Sequence, residues 1–250
     1  MATATLSSGT IRIKDTSRSD DVFFSFMALL LLVTVFVGFA RTYFLAGVFH
    51  APLPAAIIHV HGAVFSCWIL LLIAQTSLVA AGRVDIHRRV GIAGFGLACL
   101  MIVLGALAAT NSLSRGFSPL GSGLDPKTFY AVPLGSILAF AVLVFLAFRA
   151  RFNPAAHKRL ILIATIALMG APTGRPPFTA ITARPYLQSV FVWLFLLLIV
   201  GYDLWSTHKV QRVTILAGLF LVIVLQLSVP VGTTGPWHAF ATWALTLPHF

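Results

Sequence analysis

The chain has 250 residues, of which 59% are hydrophobic and only 9% are charged. A mean hydropathy of +0.97 excludes an ordinary soluble domain, since apolar runs of about 20 residues at this frequency are typical of membrane-spanning helices. The net charge of +11 comes from cations that are spread between the apolar runs. This distribution favours membrane lipids with anionic headgroups as partners and argues against nucleic acid.

The apolar segments follow a polar N-terminal stretch, residues 1–21, which we expect to be a disordered cytoplasmic tail. In chain order the segments cover residues 22–40, 54–80, 91–110, 130–148, 156–173, 187–205 and 212–231. They do not alternate polar and apolar residues, and open strand edges are not tolerated in lipid. The sequence therefore predicts an all-α polytopic membrane bundle with seven transmembrane helices within residues 22–231, followed by an interfacial outer tail over residues 232–250.

Lysine and arginine are distributed unevenly between the two sides of the predicted bundle. Most of them lie in the N-terminal tail and in the connections after the second, fourth and sixth segments, and the C-terminal tail has none. Because cytoplasmic loops carry the excess of positive charge, we predict a cytoplasmic N-terminus and an outer C-terminus. An odd number of spans fits this orientation.

A histidine stands beside cations at the cytoplasmic start of the third, fifth and seventh predicted helices, in the sequences DIHRRVG, AAHKRL and STHKVQR. One explanation is that these histidines and cations anchor the helices to lipid headgroups. The other is that the three helix starts converge and together bind an anionic group. The acidic Asp203 either orients one of these histidines or forms an ion pair with Arg89 or Lys209. The predicted cytoplasmic contacts to lipid or to an anionic group are His87, Arg88, Arg89, His157, Lys158, Arg159, Asp203 and His208.

The second and fifth segments depart from simple spans near the outer side. His59 and His61 lie about two turns into the second helix and point about 200° apart, so that only one of them faces the bundle. The fifth segment has an uninterrupted apolar run of 13 residues, LILIATIALMGAP. That run covers roughly 20 Å, against about 30 Å of hydrocarbon. The Gly- and Pro-rich stretch after it is tolerated at this depth only where protein or a water-filled cavity surrounds it.

Several cations share the depth of this interruption. Asp125 is the only acidic residue on that side, so the cations are unbalanced unless an anion visits them. We therefore predict a ligand pocket, although snorkelling of the arginines to outer headgroups explains the same pattern. The predicted ligand-binding residues are Arg41, His59, His61, Arg175 and Arg184.

Three stretches, HGAVFSCWILLLIAQTSLVAAGRVDIHRRVG, AHKRLILIATIAL and GYDLW, resemble a family of bacterial seven-span inner-membrane proteins. The likeness runs from about Arg41 to the end of the chain, and its motif is HG…W…Q…GR…HRR.G followed by HKRL. The resemblance implies a multi-pass protein of the bacterial inner membrane and points to the same histidines. It implies no substrate and no activity.

Three functions fit these patterns. The leading hypothesis is a protein that binds or carries an amphipathic anionic small molecule, such as a lipid or an isoprenoid, at the outer pocket. The alternatives are a redox or assembly protein linked to haem b or a quinone, suggested by eight histidines in a membrane bundle, and a non-catalytic scaffold subunit. The six acidic residues are all Asp and leave little for a hydrolase, and no HExxH, CxxC or GxGxxG motif is present. We assign no catalytic residue and no metal ligand.

Overall fold

The computed structural model describes residues 9–52, 55–119, 122–175 and 186–247, and the regular structure within these ranges is entirely helical. The helices are α1 (Gly9–Phe39), α2 (Ala56–Ala80), α3 (Val84–Ser114), α4 (Pro126–Arg149), α5 (Pro154–Ala167), α6 (Gly170–Thr173), α7 (Tyr186–Thr207), α8 (Arg212–Gly232) and α9 (Gly235–Ala244). A π-helical turn, Ala40–Phe44, continues α1. The all-α prediction is confirmed for these residues.

Six helices in the described part of the chain are long and apolar enough to cross a membrane. They are α1 with its π-helical turn, counted from Arg18, and α2, α3, α4, α7 and α8. Their spanning parts have 19 to 31 residues, and about 20 suffice to cross the hydrocarbon core. The chain is therefore a multi-pass helical membrane protein.

The short helix α5 is the central rod of the bundle and is buried nearly all round. It has 14 residues, or roughly 21 Å of helix, and packs against α1, α4, α7 and α8. The buried positions on it are Arg159, Leu160 and residues 162–167. A helix shorter than the hydrocarbon core is tolerated here because protein, and not lipid, surrounds it.

Local sequence sets both ends of α5. The Asn153 side chain accepts a hydrogen bond from the Ala156 amide at 3.2 Å and so caps the helix, and Pro154 occupies its first turn. The helix stops one turn before Pro172, whose nitrogen carries no proton to donate to the preceding turn. A turn at residues 168–169 then leads into α6. The helix thus ends inside the run that was predicted to be uninterrupted, and most of the Gly- and Pro-rich stretch after that run lies outside the described residues.

Glycines allow two pairs of helices to approach closely. A Cβ atom on Gly38 would collide with the backbone of Pro172, which places the end of α1 directly against α6. A Cβ atom on Gly232 would lie 2.5 Å from the carbonyl oxygen of Thr128, where α8 meets α4. Small residues at these crossings let the backbones touch, as is common between membrane helices.

Both ends of the bundle carry more helix than the sequence predicts. α1 begins at Gly9, although residues 1–21 were expected to form a disordered tail. Hydropathy does not predict this part of α1, because the segment contains charged residues. Hydropathy indicates burial in lipid and not helix formation. Within the expected interfacial tail, α9 packs against α4, and Trp237 Nε1 donates to the carbonyl of Lys127 at 2.8 Å.

Candidate functional site

His61 lies on α2 with its imidazole turned toward α3. Its ring centroid is 4.0 Å from that of Phe65, and the ring lies beside the backbone carbonyl of Leu104. Its Nδ1 atom is buried and has no hydrogen-bond partner within the described residues. An imidazole nitrogen left without a partner in a protein interior costs free energy, so this atom is a candidate contact for a ligand.

Arg175 follows α6 and lies close enough to His61 for its charge to act on the imidazole. Its guanidinium carbon is 5.5 Å from the ring centroid of Phe39 and 6.0 Å from that of Phe117. Nη1 donates to the carbonyl of Ala171 at 3.0 Å. The salt bridges formed among the described residues do not include this guanidinium. We name His61, Arg175, Phe39 and Phe117 the His61 pocket.

Two other predicted pocket residues lie apart from this pocket. Arg41 is exposed, and its guanidinium carbon lies over the ring of Phe49 at 5.5 Å. His59 is also exposed, with its ring centroid 5.6 Å from that of Tyr43. The Tyr43 hydroxyl donates to the His59 carbonyl at 3.2 Å. The prediction that only one histidine of the adjacent pair faces the bundle is confirmed.

His87 and His157 come together at the opposite end of the bundle. Their ring centroids are 6.2 Å apart and their planes are nearly perpendicular. His157 Nδ1 lies 2.9 Å from the carbonyl oxygen of Ala147, and the side-chain amide of Gln75, in the orientation that satisfies both its oxygen and its nitrogen, has its nitrogen 2.6 Å from His87 Nδ1. The structure thus brings together two of the three histidines that stand beside cations. The third, His208, is exposed at a turn with φ of 54°.

Arg159 and Asp203 form a buried ion pair near these histidines. Arg159 Nη2 lies 2.5 Å and Nε 2.9 Å from Asp203 Oδ1. The other carboxylate oxygen accepts hydrogen bonds from the Thr214 hydroxyl at 2.6 Å and from the backbone amide of Gln211 at 3.0 Å. Both carboxylate oxygens are therefore engaged, and Asp203 joins α5, α7 and α8.

The prediction that Asp203 pairs with Arg89 or Lys209 is wrong. Arg159 takes this place because the central helix α5 carries it directly to α7, where Asp203 is fully buried. Arg89 and its neighbour Arg88 are instead exposed at the start of α3. Exposed cations at a helix end retain their hydration, whereas a buried carboxylate requires a partner inside the protein.

A second ion pair lies beside the first and is partly open. Lys158 Nζ lies 2.5 Å from Asp20 Oδ2, and the Tyr202 hydroxyl donates to Asp20 Oδ1 at 2.7 Å. The side chains of Lys158 and Asp20 are 26% and 32% exposed. Sequence reasoning missed Asp20 and Tyr202, because Asp20 falls in the stretch expected to be a disordered tail.

The described residues form a helical multi-pass membrane protein with His61 and Arg175 toward one end of the bundle and the ion pairs of Arg159 with Asp203 and of Lys158 with Asp20 at the other. The described residues hold no group of three or more His, Cys, Asp or Glu side chains placed to bind a metal ion. Comparison of the chain with protein-family models, with the curated proteins and with the solved structures finds no match. The resemblance to bacterial seven-span proteins stays a prediction, as does the role of Arg184, which lies outside the described residues.

Proposed function

We propose that the His61 pocket binds the anionic head of an amphipathic small molecule, a lipid or an isoprenoid, in the outer leaflet of a bacterial inner membrane. One observation supports this function. Arg175, which is in no salt bridge among the described residues, lies within electrostatic range of His61, whose buried Nδ1 also has no partner there. An anionic oxygen would satisfy the guanidinium, and a protonated oxygen of the same head would donate to Nδ1.

The surroundings of Arg175 strengthen its interaction with an anion. The rings of Phe39 and Phe117 lie within about 6 Å of its guanidinium. Aromatic neighbours shield part of the guanidinium from water, so that a charge pair formed here is stronger than one in solution. An unpaired cation in such surroundings is costly, and a bound anion offsets that cost.

An apolar surface for the hydrocarbon tail lies next to the pocket. Phe36 and Phe44, on either side of Phe39 near the end of α1, have ring centroids 5.4 Å apart and are 47% and 38% exposed. A tail gains little from this contact itself, because lipid is as apolar as these rings. The tail instead keeps the anionic head at the depth of Arg175. An amphipathic ligand is therefore favoured over a free anion.

The same proposal includes the topology. We take α5 together with α6 as the seventh crossing element, with the N-terminus in the cytoplasm and the C-terminus outside, as the positive-inside rule predicts. The His61 pocket would then lie near the outer surface. His87, His157 and Arg159 would lie near the cytoplasmic surface, together with most of the Lys and Arg residues.

Thermal stabilisation by a simple alkyl phosphate tests the proposal. Protein in a neutral maltoside detergent is titrated with dodecyl phosphate, and separately with uncharged dodecyl alcohol, while the unfolding midpoint is followed. A ligand that binds only the folded state stabilises it by about 2.7 kcal/mol at a hundredfold excess over its Kd. We expect dodecyl phosphate to raise the midpoint and the alcohol to leave it unchanged.

A neighbouring histidine supplies the matched control. His61→Gln is expected to abolish the stabilisation by dodecyl phosphate, because it removes the imidazole beside Arg175. His59→Gln is expected to keep it, since the His59 ring is exposed beside Tyr43. Equal stabilisation of both variants would assign phosphate binding to some other part of the surface.

A haem b site is the second candidate, and the approach of His87 to His157 is the observation that favours it. Nδ1 of His157 lies beside the carbonyl oxygen of Ala147, an arrangement that leaves its Nε2 for an iron. Absorption spectra of the purified protein, oxidised and then reduced, decide this. A sharp band that shifts on reduction and disappears in His157→Ala would support haem, and a featureless spectrum would exclude it.

A further inference from the structure

The two ion pairs at the Arg159 end of the bundle differ in access. The side chains of Arg159 and Asp203 are 4% and 0% exposed, whereas those of Lys158 and Asp20 are 26% and 32% exposed. The open pair faces a cavity of about 130 Å³ between α1, α5 and α7. The polar side chains that line this cavity include Asp20, Lys158, Tyr202, Ser206 and Gln211.

Tyr202 connects this cavity to an apolar groove between α1 and α7. Its ring stacks on that of Phe23 with centroids 3.9 Å apart and planes 6° from parallel. The other side chains of the groove are Leu194, Leu197, Leu198 and Trp205, and Gly201 leaves a gap in its wall. The cavity and the groove share Tyr202, so a polar site and a shallow, open apolar surface adjoin.

We propose that the cavity and the groove hold one membrane phospholipid with a zwitterionic, amine-bearing headgroup. The phosphate pairs with Lys158 and the ammonium group with Asp20, while an acyl chain lies in the groove beside Tyr202. The site lies at the opposite end of the bundle from the His61 pocket and does not depend on it. The occupant is a lipid of the leaflet that borders the Arg159 end.

Charge complementarity selects this headgroup. Lys158 and Asp20 are the partly exposed charged side chains that line the cavity, and a head of both signs pairs with both. A purely anionic head would bring its charge to the Asp20 carboxylate without compensation. Arg159 does not alter the balance, because Asp203 already neutralises it.

Gly201 provides a substitution that blocks the groove without disturbing the fold. A Cβ atom there meets nothing within 4 Å, so Gly201→Leu projects into the groove and excludes the acyl chain. Gly96 on α3 is also exposed with open space at its Cβ, and Gly96→Leu is the matched control. Both variants add the same side chain to the surface of a helix.

Native mass spectrometry of protein taken from vesicles of equal parts phosphatidylethanolamine and phosphatidylglycerol measures the bound lipid. We expect the wild type and Gly96→Leu to retain one phosphatidylethanolamine, and Gly201→Leu to lose at least about tenfold in occupancy. Asp20→Asn removes the carboxylate that contacts Lys158, so the preference of this variant should shift toward phosphatidylglycerol. Retention of both lipids in equal amounts by the wild type would overturn the proposal.

Two further results would also overturn the proposal. If Gly201→Leu retains as much lipid as Gly96→Leu, the acyl chain does not lie in the groove. If the wild type is a dimer without bound lipid and Gly201→Leu is a monomer, the groove belongs to a second copy of the chain.

Discussion

Arg159 and Asp203 join the central helix α5 to α7 through a buried ion pair, with Nη2 2.5 Å from Oδ1. The second oxygen of the carboxylate accepts hydrogen bonds from Thr214 and from the Gln211 amide, so that α8 and the turn before it meet the same side chain. Such a pair stabilises little over apolar packing, since both charges lose their hydration on folding. Its effect is to fix the relative positions of three helices.

The first prediction concerns this ion pair. Asp203→Ala is expected to lower the free energy of unfolding by about 3–5 kcal/mol, because it leaves the Arg159 guanidinium buried without a counter-charge. The double variant Arg159→Met/Asp203→Leu should recover most of that loss. Denaturation in detergent measures both. As a control, Asp85→Ala breaks an exposed pair with Arg83, 3.7 Å apart, and should cost about 0–1 kcal/mol.

Comparable losses for Asp85→Ala and Asp203→Ala would contradict this account. A double variant no more stable than Asp203→Ala would do so as well, because it would show that the buried charge is not the cause of the loss.

The second prediction concerns the crossing of α1 and α6. Replacement of Gly by Ala in a helix usually stabilises it by about 1 kcal/mol. At Gly38 the sign should reverse, with a loss of about 1–3 kcal/mol, because the new methyl group collides with the backbone of Pro172. Gly96→Ala, where a Cβ meets nothing, should show the ordinary gain. Unfolding measured on both variants tests this, and a gain at Gly38 would show that α6 can move away.

The third prediction is a loss of stability in acid through the N-cap of α4. A hydrogen bond from the Thr128 hydroxyl, followed by the Thr128 amide and the charge of His238, lowers the pKa of Asp125 below its ordinary 3.8. A carboxyl group whose pKa is lower in the folded state stabilises above the unfolded value and loses that contribution as pH falls through the folded value. The unfolding midpoint should therefore fall as pH decreases from about 5 toward 3.

A threonine variant isolates this contribution. Thr128→Val removes the hydroxyl that lies 2.5 Å from Asp125 Oδ2 and 3.2 Å from His238 Nε2. We expect the variant to be less stable at neutral pH and to lose less on acidification than the wild type. An unchanged dependence on pH would mean that other carboxyl groups control the acid response.

Hydropathy located the long helices because burial in lipid imposes one requirement along each segment, although α1 and α3 begin at Gly9 and Val84, well before the predicted residues 22 and 91. It also predicted that the fifth segment is short, but it placed the interruption after Pro172, whereas α5 ends at Ala167 and a turn follows at residues 168–169. The repeated histidine–cation pattern drew attention to His87 and His157, which the structure brings together. These features are local in sequence, and local sequence was sufficient for them.

Local sequence patterns could not predict which helices contact one another. Asp203 and Arg159 are 44 residues apart, and no periodicity reports which helix face meets which. The assignment of Asp203 to Arg89 or Lys209 failed because α5 packs against α7 and brings Arg159 to the carboxylate. The burial of helix α5 on all sides depends on the packing of the whole bundle.

Binding of an anionic head by Arg175 is the central claim, and calorimetric titration of the protein in maltoside detergent with dodecyl phosphate tests it most directly. Arg175→Gln is compared with Arg115→Gln, an exposed arginine that follows α3, and with Arg175→Lys, which keeps the charge. We predict saturable binding that Arg115→Gln retains, Arg175→Lys weakens and Arg175→Gln loses by at least about tenfold. Binding of equal strength in the folded Arg175→Gln variant would contradict the account.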